Sequence, residues 1–135
     1  MVGTVQYMAP EVIDGVYTCI VDCWSVGCIV YRLIAGNDLF KSFGDIYKFK
    51  YTGAPSPESA LVDRGLCSDD CVKFVANLIT VDPSRRLDAT AALDHPWILR
   101  LSGSAESCKY TISNKLRIRF AGYEALPIIT KDHEA

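Results

Sequence analysis

Through about residue 100 the apolar positions follow helical rather than strand spacing. From Ile20 to Ile34 they fall on nearly every side of a helical wheel, with Asp22, Ser25 and Arg32 as the interruptions. A helix that is apolar all round is buried on all sides or lies in a membrane. This one is too short and too interrupted for a comfortable span. The pattern therefore predicts a central buried helix, with Thr18 as its N-cap, Ala35 near its end and Gly36 as its stop.

The flanking segments are read in the same way. Residues 1–8 are expected to be extended or irregular. Pro10 suits the first turn of a short helix running to about Asp14, because its missing N–H costs nothing there, and Gly15 ends it. A short helix is expected from Asp45 to about Tyr51. Residues 52–65 hold Gly53, Pro55, Pro57 and Gly65, which predicts a loop. Ser68 caps a further helix, with Asp69 and Asp70 at its positive end. The apolar stripe of that helix is Cys71, Val72, Phe74, Val75, Leu78 and Ile79, and Asp82-Pro83 breaks it. Asp88 caps a last helix from Ala89 to about Asp94, and Pro96 stops it. Residues 102–107 have linker composition. Leu116, Ile118 and Phe120 then alternate with Lys115, Arg117 and Arg119, which suggests a strand or an extended partner-binding segment.

Composition narrows the function classes. Half the residues are apolar and 22% are charged, as in a folded domain and unlike a disordered chain. A net charge of −2 gives no general attraction to nucleic acid or to an anionic membrane. No run of about eighteen apolar residues predicts a spanning helix. Met1-Val2-Gly3-Thr4 lacks the charged start and apolar stretch of a signal peptide, so a cytoplasmic or nuclear location is expected. Six cysteines occur, at 19, 23, 28, 67, 71 and 108, without a Cys-x-x-Cys pair or zinc-finger His spacing. Cys19/Cys23 and Cys67/Cys71 are four apart and could in principle supply a four-thiolate site. Small apolar residues in helices of a reduced protein are the simpler expectation.

Four islands carry the chemistry. They are Gly3-Thr4-x-x-Tyr7-x-Ala9-Pro10-Glu11, Asp22-x-Trp24-Ser25-x-Gly27, Asp82-Pro83-Ser84-Arg85-Arg86 and His95-Pro96-Trp97. Each is weak alone, but in this order and spacing they resemble the C-terminal half of the C-lobe of a eukaryotic serine/threonine protein kinase. The resemblance covers roughly residues 1–100. It implies a mainly α fold, the C-terminal portion of the C-lobe from the end of the activation segment through the last helix; the irregular or β-like tail at 101–135 is read from the residue pattern, the resemblance giving no guidance there. The segment Asp88-Ala-Thr-Ala-Ala-Leu-Asp-His-Pro-Trp97 points toward the calcium/calmodulin-kinase-like group. The 135 residues contain no Gly-rich loop, strand Lys, His-Arg-Asp loop or Asp-Phe-Gly site, the elements that position ATP and Mg in a kinase. No catalytic, cofactor-binding or metal residue is therefore expected in this chain, ATP and Mg belonging to a complete parent kinase.

The resemblance also assigns roles by position. Thr4 matches the hydroxyl that bridges the catalytic Asp and a Lys, and its motif favours Ser/Thr over Tyr as acceptor. Met1, Val5 and Met8 match a pocket for the substrate residue after the phosphoacceptor. Glu11 and the last Arg of the third island, Arg86, match a buried structural ion pair, for which a guanidinium fork suits a carboxylate. Asp22 matches a carboxylate that holds the catalytic loop through backbone N–H groups, while Trp24 and Gly27 are packing residues. Gly27 costs about 1 kcal/mol of helix propensity against Ala, which suggests a close neighbour. Arg32 stands where basophilic kinases usually carry Glu, so a substrate with basic residues before the acceptor is not expected to be favoured. His95 is expected to be structural.

Three functions follow as expectations. The first is a piece of a serine/threonine kinase, whose parent reaction moves the ATP γ-phosphoryl to protein Ser/Thr and which is not competent alone. The second is a non-catalytic C-lobe module that binds protein substrates or a complete kinase, docking near residues 45–51. The third is a truncated gene product with no independent function. No nucleic acid or membrane partner is expected. An isolated piece of this kind would leave part of the hub helix uncovered.

Overall fold

The computed structural model describes residues 5–102. A 3₁₀ turn at Val5–Tyr7 leads into α1 (Pro10–Asp14), α2 (Ile20–Ala35), α3 (Phe43–Thr52), α4 (Pro57–Val62), α5 (Asp69–Leu78), α6 (Ala89–Leu93) and α7 (Pro96–Ser102). The fold is mainly α, as the periodicity implies, with no strand among the described residues. Met1, Thr4, Cys108 and the alternating segment at 115–120 lie outside the described residues.

Helix boundaries follow local chemistry, and several differ from the expectations. Helix α2 starts at Ile20, with Cys19 rather than Thr18 at the N-cap and no side-chain cap. Thr18 contributes its carbonyl instead, which accepts from the Val21 N–H at 3.2 Å. Helix α3 starts at Phe43, two residues earlier than expected, because Ser42 and Asp45 form a reciprocal capping box. The stretch expected as a loop at 52–65 contains α4. Ser56 accepts from the Ser59 N–H at 3.3 Å, and Pro57 occupies the first turn where no donor is lost. Pro96 does not merely end α6. It opens α7, with the Trp97 N–H donating to His95 Nδ1 at 3.2 Å.

The core forms where α2 meets its neighbours. Trp24 is fully buried and stacks on Phe40 at 5.6 Å between centroids, while Phe49 meets both rings edge-on. Gly27 lets α2 approach the end of α5. A Cβ there would sit 2.8 Å from both Leu78 Cβ and Ile79 Cγ1. Leu61 of α4 and Val75 of α5 close another side of the same core. Phe74 of α5 packs against the rings of His95 and Trp97, the structural place expected for His95.

Helix α2 is not buried all round. Trp24, Gly27, Cys28, Tyr31 and Ala35 face the core. Asp22, Val26, Ile29 and Leu33, which share one strip at i, i+4, i+7 and i+11, are exposed. The wheel is apolar on both sides, but within the described residues only one side has something to pack against.

Candidate functional site

The start of α2 holds a buried ion pair. Glu11 sits in the first turn of α1, beside buried Pro10. Arg86 is delivered by a turn after α5. There the Asp82 carbonyl accepts from the Arg85 and Arg86 N–H groups, and the Asp82 carboxylate takes the Ser84 N–H and hydroxyl. Those two bonds from Ser84 hold the Asp82 carboxyl below its usual range. Arg86 Nη1 and Nη2 then donate to Glu11 Oε1 and Oε2 at 2.5 and 3.0 Å. Its Nε donates to the Thr80 carbonyl, Nη1 also to Ile20 and Nη2 also to Val81. All five guanidinium donors are thereby used, and the side chain has no exposure. The guanidinium also lies 5.2 Å from the Trp24 ring centroid. One residue thus joins α1, the start of α2 and the segment after α5.

The other end of α2 carries a second arrangement. Arg32 Nη1 donates to both oxygens of Asp38, at 2.8 and 2.9 Å, and to the Tyr7 hydroxyl at 2.9 Å. The Tyr7 hydroxyl donates to Asp38 Oδ1 at 3.0 Å. These bonds to Asp38 and then Tyr7 push the Arg32 guanidinium pKa up. Ser25 fixes the backbone of the same segment by donating to the Tyr7 carbonyl at 2.8 Å. Val5 and Met8 flank Tyr7 and are half-buried. Met1, the third position of the expected substrate pocket, and Thr4, the expected bridging hydroxyl, lie outside the described residues. Nothing in the sequence singles out Asp38, which follows Gly36 and Asn37 in an ordinary-looking turn. Its partnership with Arg32 depends on how the chain leaves α2.

Asp22 is exposed rather than buried bare. Trp24 Nε1 has no hydrogen-bond partner among the described residues. Among the described residues, the cysteines do not assemble into a thiolate site. Burial raises the Cys28 thiol to about 12, and burial followed by the bond with Cys67 does the same for Cys71. Burial, then Asp88, raises Cys23. Among the described residues, no group of three or more His, Cys, Asp or Glu is placed to hold a metal ion. Nor is any helix among them long and apolar enough to cross a membrane.

Comparison with known proteins agrees with this geometry. Residues 1–98 match the protein kinase domain family. The chain is 34% identical over 110 residues to serine/threonine-protein kinase RAD53 of Saccharomyces cerevisiae, covering 71% of this chain and 13% of that protein. It is 38% identical over 98 residues to CDPK-related kinase 5 of Arabidopsis thaliana, covering 73% and 16%. It is 36% identical over 112 residues to serine/threonine-protein kinase H1 of Homo sapiens, covering 76% and 24%. The crystal structure of Rad53 1-466 in complex with AMP-PNP aligns with a TM-score of 0.60 at 40% identity, over 71% of this chain and 26% of that one. The chain belongs to the protein kinase family, among serine/threonine kinases, and its helices are those of the kinase C-lobe. It spans a quarter or less of the length of these curated relatives.

Proposed function

We propose that this chain is scaffold of a serine/threonine protein kinase, whose reaction is transfer of the ATP γ-phosphoryl to a protein hydroxyl. By itself it transfers no phosphoryl group. Catalysis of that reaction is positioning and electrostatic stabilisation by a metal-bearing nucleotide site. The 135 residues supply neither the Gly-rich loop nor the His-Arg-Asp and Asp-Phe-Gly elements of such a site. Mg and ATP would be held by other parts of the complete kinase. Glu11 and Arg86 fix the segment that ends at Glu11 to the start of α2, and Val5 and Met8 contribute to the wall against which a protein substrate rests. The observation that carries this reading is the divided helix α2. Its core side is closed around Trp24 and the Glu11–Arg86 pair. Its other side offers an apolar strip headed by the Asp22 carboxylate, suited to packing and backbone N–H bonds from further kinase elements.

Titration calorimetry of the purified chain with Mg-ATP, together with a phosphoryl-transfer assay on a protein substrate, tests the proposal. No saturable nucleotide binding and no transfer are expected. Either signal, in material free of contaminating kinases, would overturn it.

A further inference from the structure

We propose that Cys67 and Cys71, at the start of α5, form a reversible dithiol–disulfide pair that closes on oxidation by hydrogen peroxide and reopens with a thiol reductant. The inference goes beyond the scaffold reading and does not rest on it, because it concerns two side chains to which that reading gives no role.

Spacing alone does not make such a pair. Cys19/Cys23 and Cys67/Cys71 are both four apart, and all are free thiols. On a continuous helix that spacing holds Cβ atoms about 5–6 Å apart, beyond the roughly 3.5–4.5 Å that a disulfide spans. Cys19 and Cys23 are bound by this limit, since Cys19 has helical backbone (φ −58°, ψ −15°) at the head of α2. Cys67 escapes it. It precedes the N-cap Ser68, whose backbone is extended (φ −70°, ψ 160°) and whose Oγ accepts from the Cys71 N–H at 3.4 Å. That cap turns the incoming chain over the first turn of α5. Cys67 therefore packs against the core as a half-buried residue, and the Cys71 thiol donates a hydrogen bond to its sulfur. Cys23, by contrast, feels Cys19 only through its charge.

The two sulfurs differ in access, and that sets their roles. Cys67 is half-exposed, whereas Cys71 is 1% exposed, so peroxide meets Cys67 first. The Cys67 thiolate attacks one peroxide oxygen and the O–O bond breaks. The departing hydroxide takes up the proton that the thiol has lost, leaving a sulfenic acid and water. The Cys71 sulfur then attacks the Cys67 sulfur. The S–S bond forms, the S–O bond breaks, and the hydroxyl leaves as water with the Cys71 proton. The two thiols give up two electrons in all, and one peroxide is reduced to two waters. Cys71 holds its proton tightly, by burial first and then by the bond to Cys67, so loss of that proton makes the second step the slow one. The same bond keeps the resolving sulfur beside its target. A reducing thiol reopens the bridge by exchange at Cys67, the sulfur it can reach. In reducing surroundings such a bridge is transient, which is the behaviour of a redox sensor.

Peptide mass mapping of the full 135-residue chain tests this. The reduced protein is exposed to graded hydrogen peroxide, its remaining thiols are capped with N-ethylmaleimide in urea, and it is cut with trypsin. Cleavage after Arg64 and Lys73 places both cysteines on one peptide, 65–73. The expected product is that peptide without maleimide and lighter by two hydrogens than its reduced form. Dithiothreitol before capping should restore two maleimides. Cys71→Ala should instead leave a Cys67 sulfenic acid that dimedone traps. Cys67→Ala, which alters only the half-buried member, should leave Cys71 unoxidised. The proposal is overturned if peptide 65–73 keeps both maleimides throughout the peroxide series, or if Cys67 reaches sulfinic acid without bridging. It is also overturned if either cysteine bridges to Cys19, Cys23, Cys28 or Cys108 instead, if Cys19 and Cys23 bridge as readily, or if Cys71 oxidises as fast in Cys67→Ala. Neither nucleotide binding nor phosphoryl transfer is read in this experiment, so its failure leaves the scaffold proposal standing, and the reverse holds too.

Discussion

Two arginine–carboxylate pairs sit at opposite ends of α2. At the start, Arg86 is wholly buried and Glu11 nearly so, in a two-pronged contact whose remaining donors go to backbone carbonyls. At the finish, the Arg32 side chain is 54% exposed and reaches Asp38 through one nitrogen. The partner types are the same, but the surroundings differ. Water screens the second pair and solvates each member when the other is gone, so the pair is worth little. The first has no water to fall back on. Loss of either partner strands a charge among Trp24 and its neighbours. Burial and complete donor satisfaction, rather than the charge pair itself, make one a structural joint and the other a surface contact.

The comparison can be broken most forcefully at Glu11. Glu11→Ala should lower unfolding stability by about 3–5 kcal/mol, measured by urea denaturation, because Arg86 would remain charged and buried. If that variant proves too unstable to purify, Glu11→Gln should recover part of the loss by restoring one acceptor and the bulk without charge. A change near zero for Glu11→Ala would mean that the joint does not hold the fold.

Next in size is Gly27, which lets the α2 core face meet α5. Gly27→Ala gains helix propensity of about 1 kcal/mol but places a methyl against Leu78 Cβ and Ile79 Cγ1. Overpacking of this kind costs about 1–3 kcal/mol, so net destabilisation is expected in the same urea assay.

A smaller effect is expected at the capping box of α3. Ser42→Ala should cost about 1 kcal/mol. Asp45 adds a pH signature. Its carboxyl is held below the usual range, first by the Lys41 N–H and then by the Ser42 groups. Its folded value is thus below its unfolded one. Its contribution is complete above the unfolded value of about 4 and is lost as pH falls through the lowered one. Asp45→Asn should therefore flatten the acid side of the stability profile.

Least affected should be Arg32→Ala, with no measurable change in the urea midpoint. A loss comparable to that of Glu11→Ala would erase the contrast between the two pairs.

Much of the helix layout is legible from residue type alone, because caps and stops are local. Gly15 and Gly36 end α1 and α2 in left-handed backbone conformation, and Ser68 and Asp88 cap α5 and α6 through their own side chains. The misplaced boundaries come from equally local signals with two meanings. Pro57 and Pro96 interrupt a preceding pattern but also open α4 and α7. The resemblance brings Glu11 and Arg86 together across 75 residues, while neither residue's immediate neighbours say that they meet.

What the amino-acid order determined by itself is five of the helices (α1, α2, α3, α5 and α6), the caps of α5 and α6, the glycine stops of α1 and α2, and the family that its four islands share, since these depend on side chains a few positions apart. What only the tertiary structure decided is which apolar side of α2 is closed and which is open, where the five donors of Arg86 go, and that Arg32 answers to Asp38 and Tyr7. Those outcomes depend on which distant segments arrive beside a side chain and exclude water from it. A pattern of apolar positions states that a face can be buried; the neighbours that come to it decide whether it is.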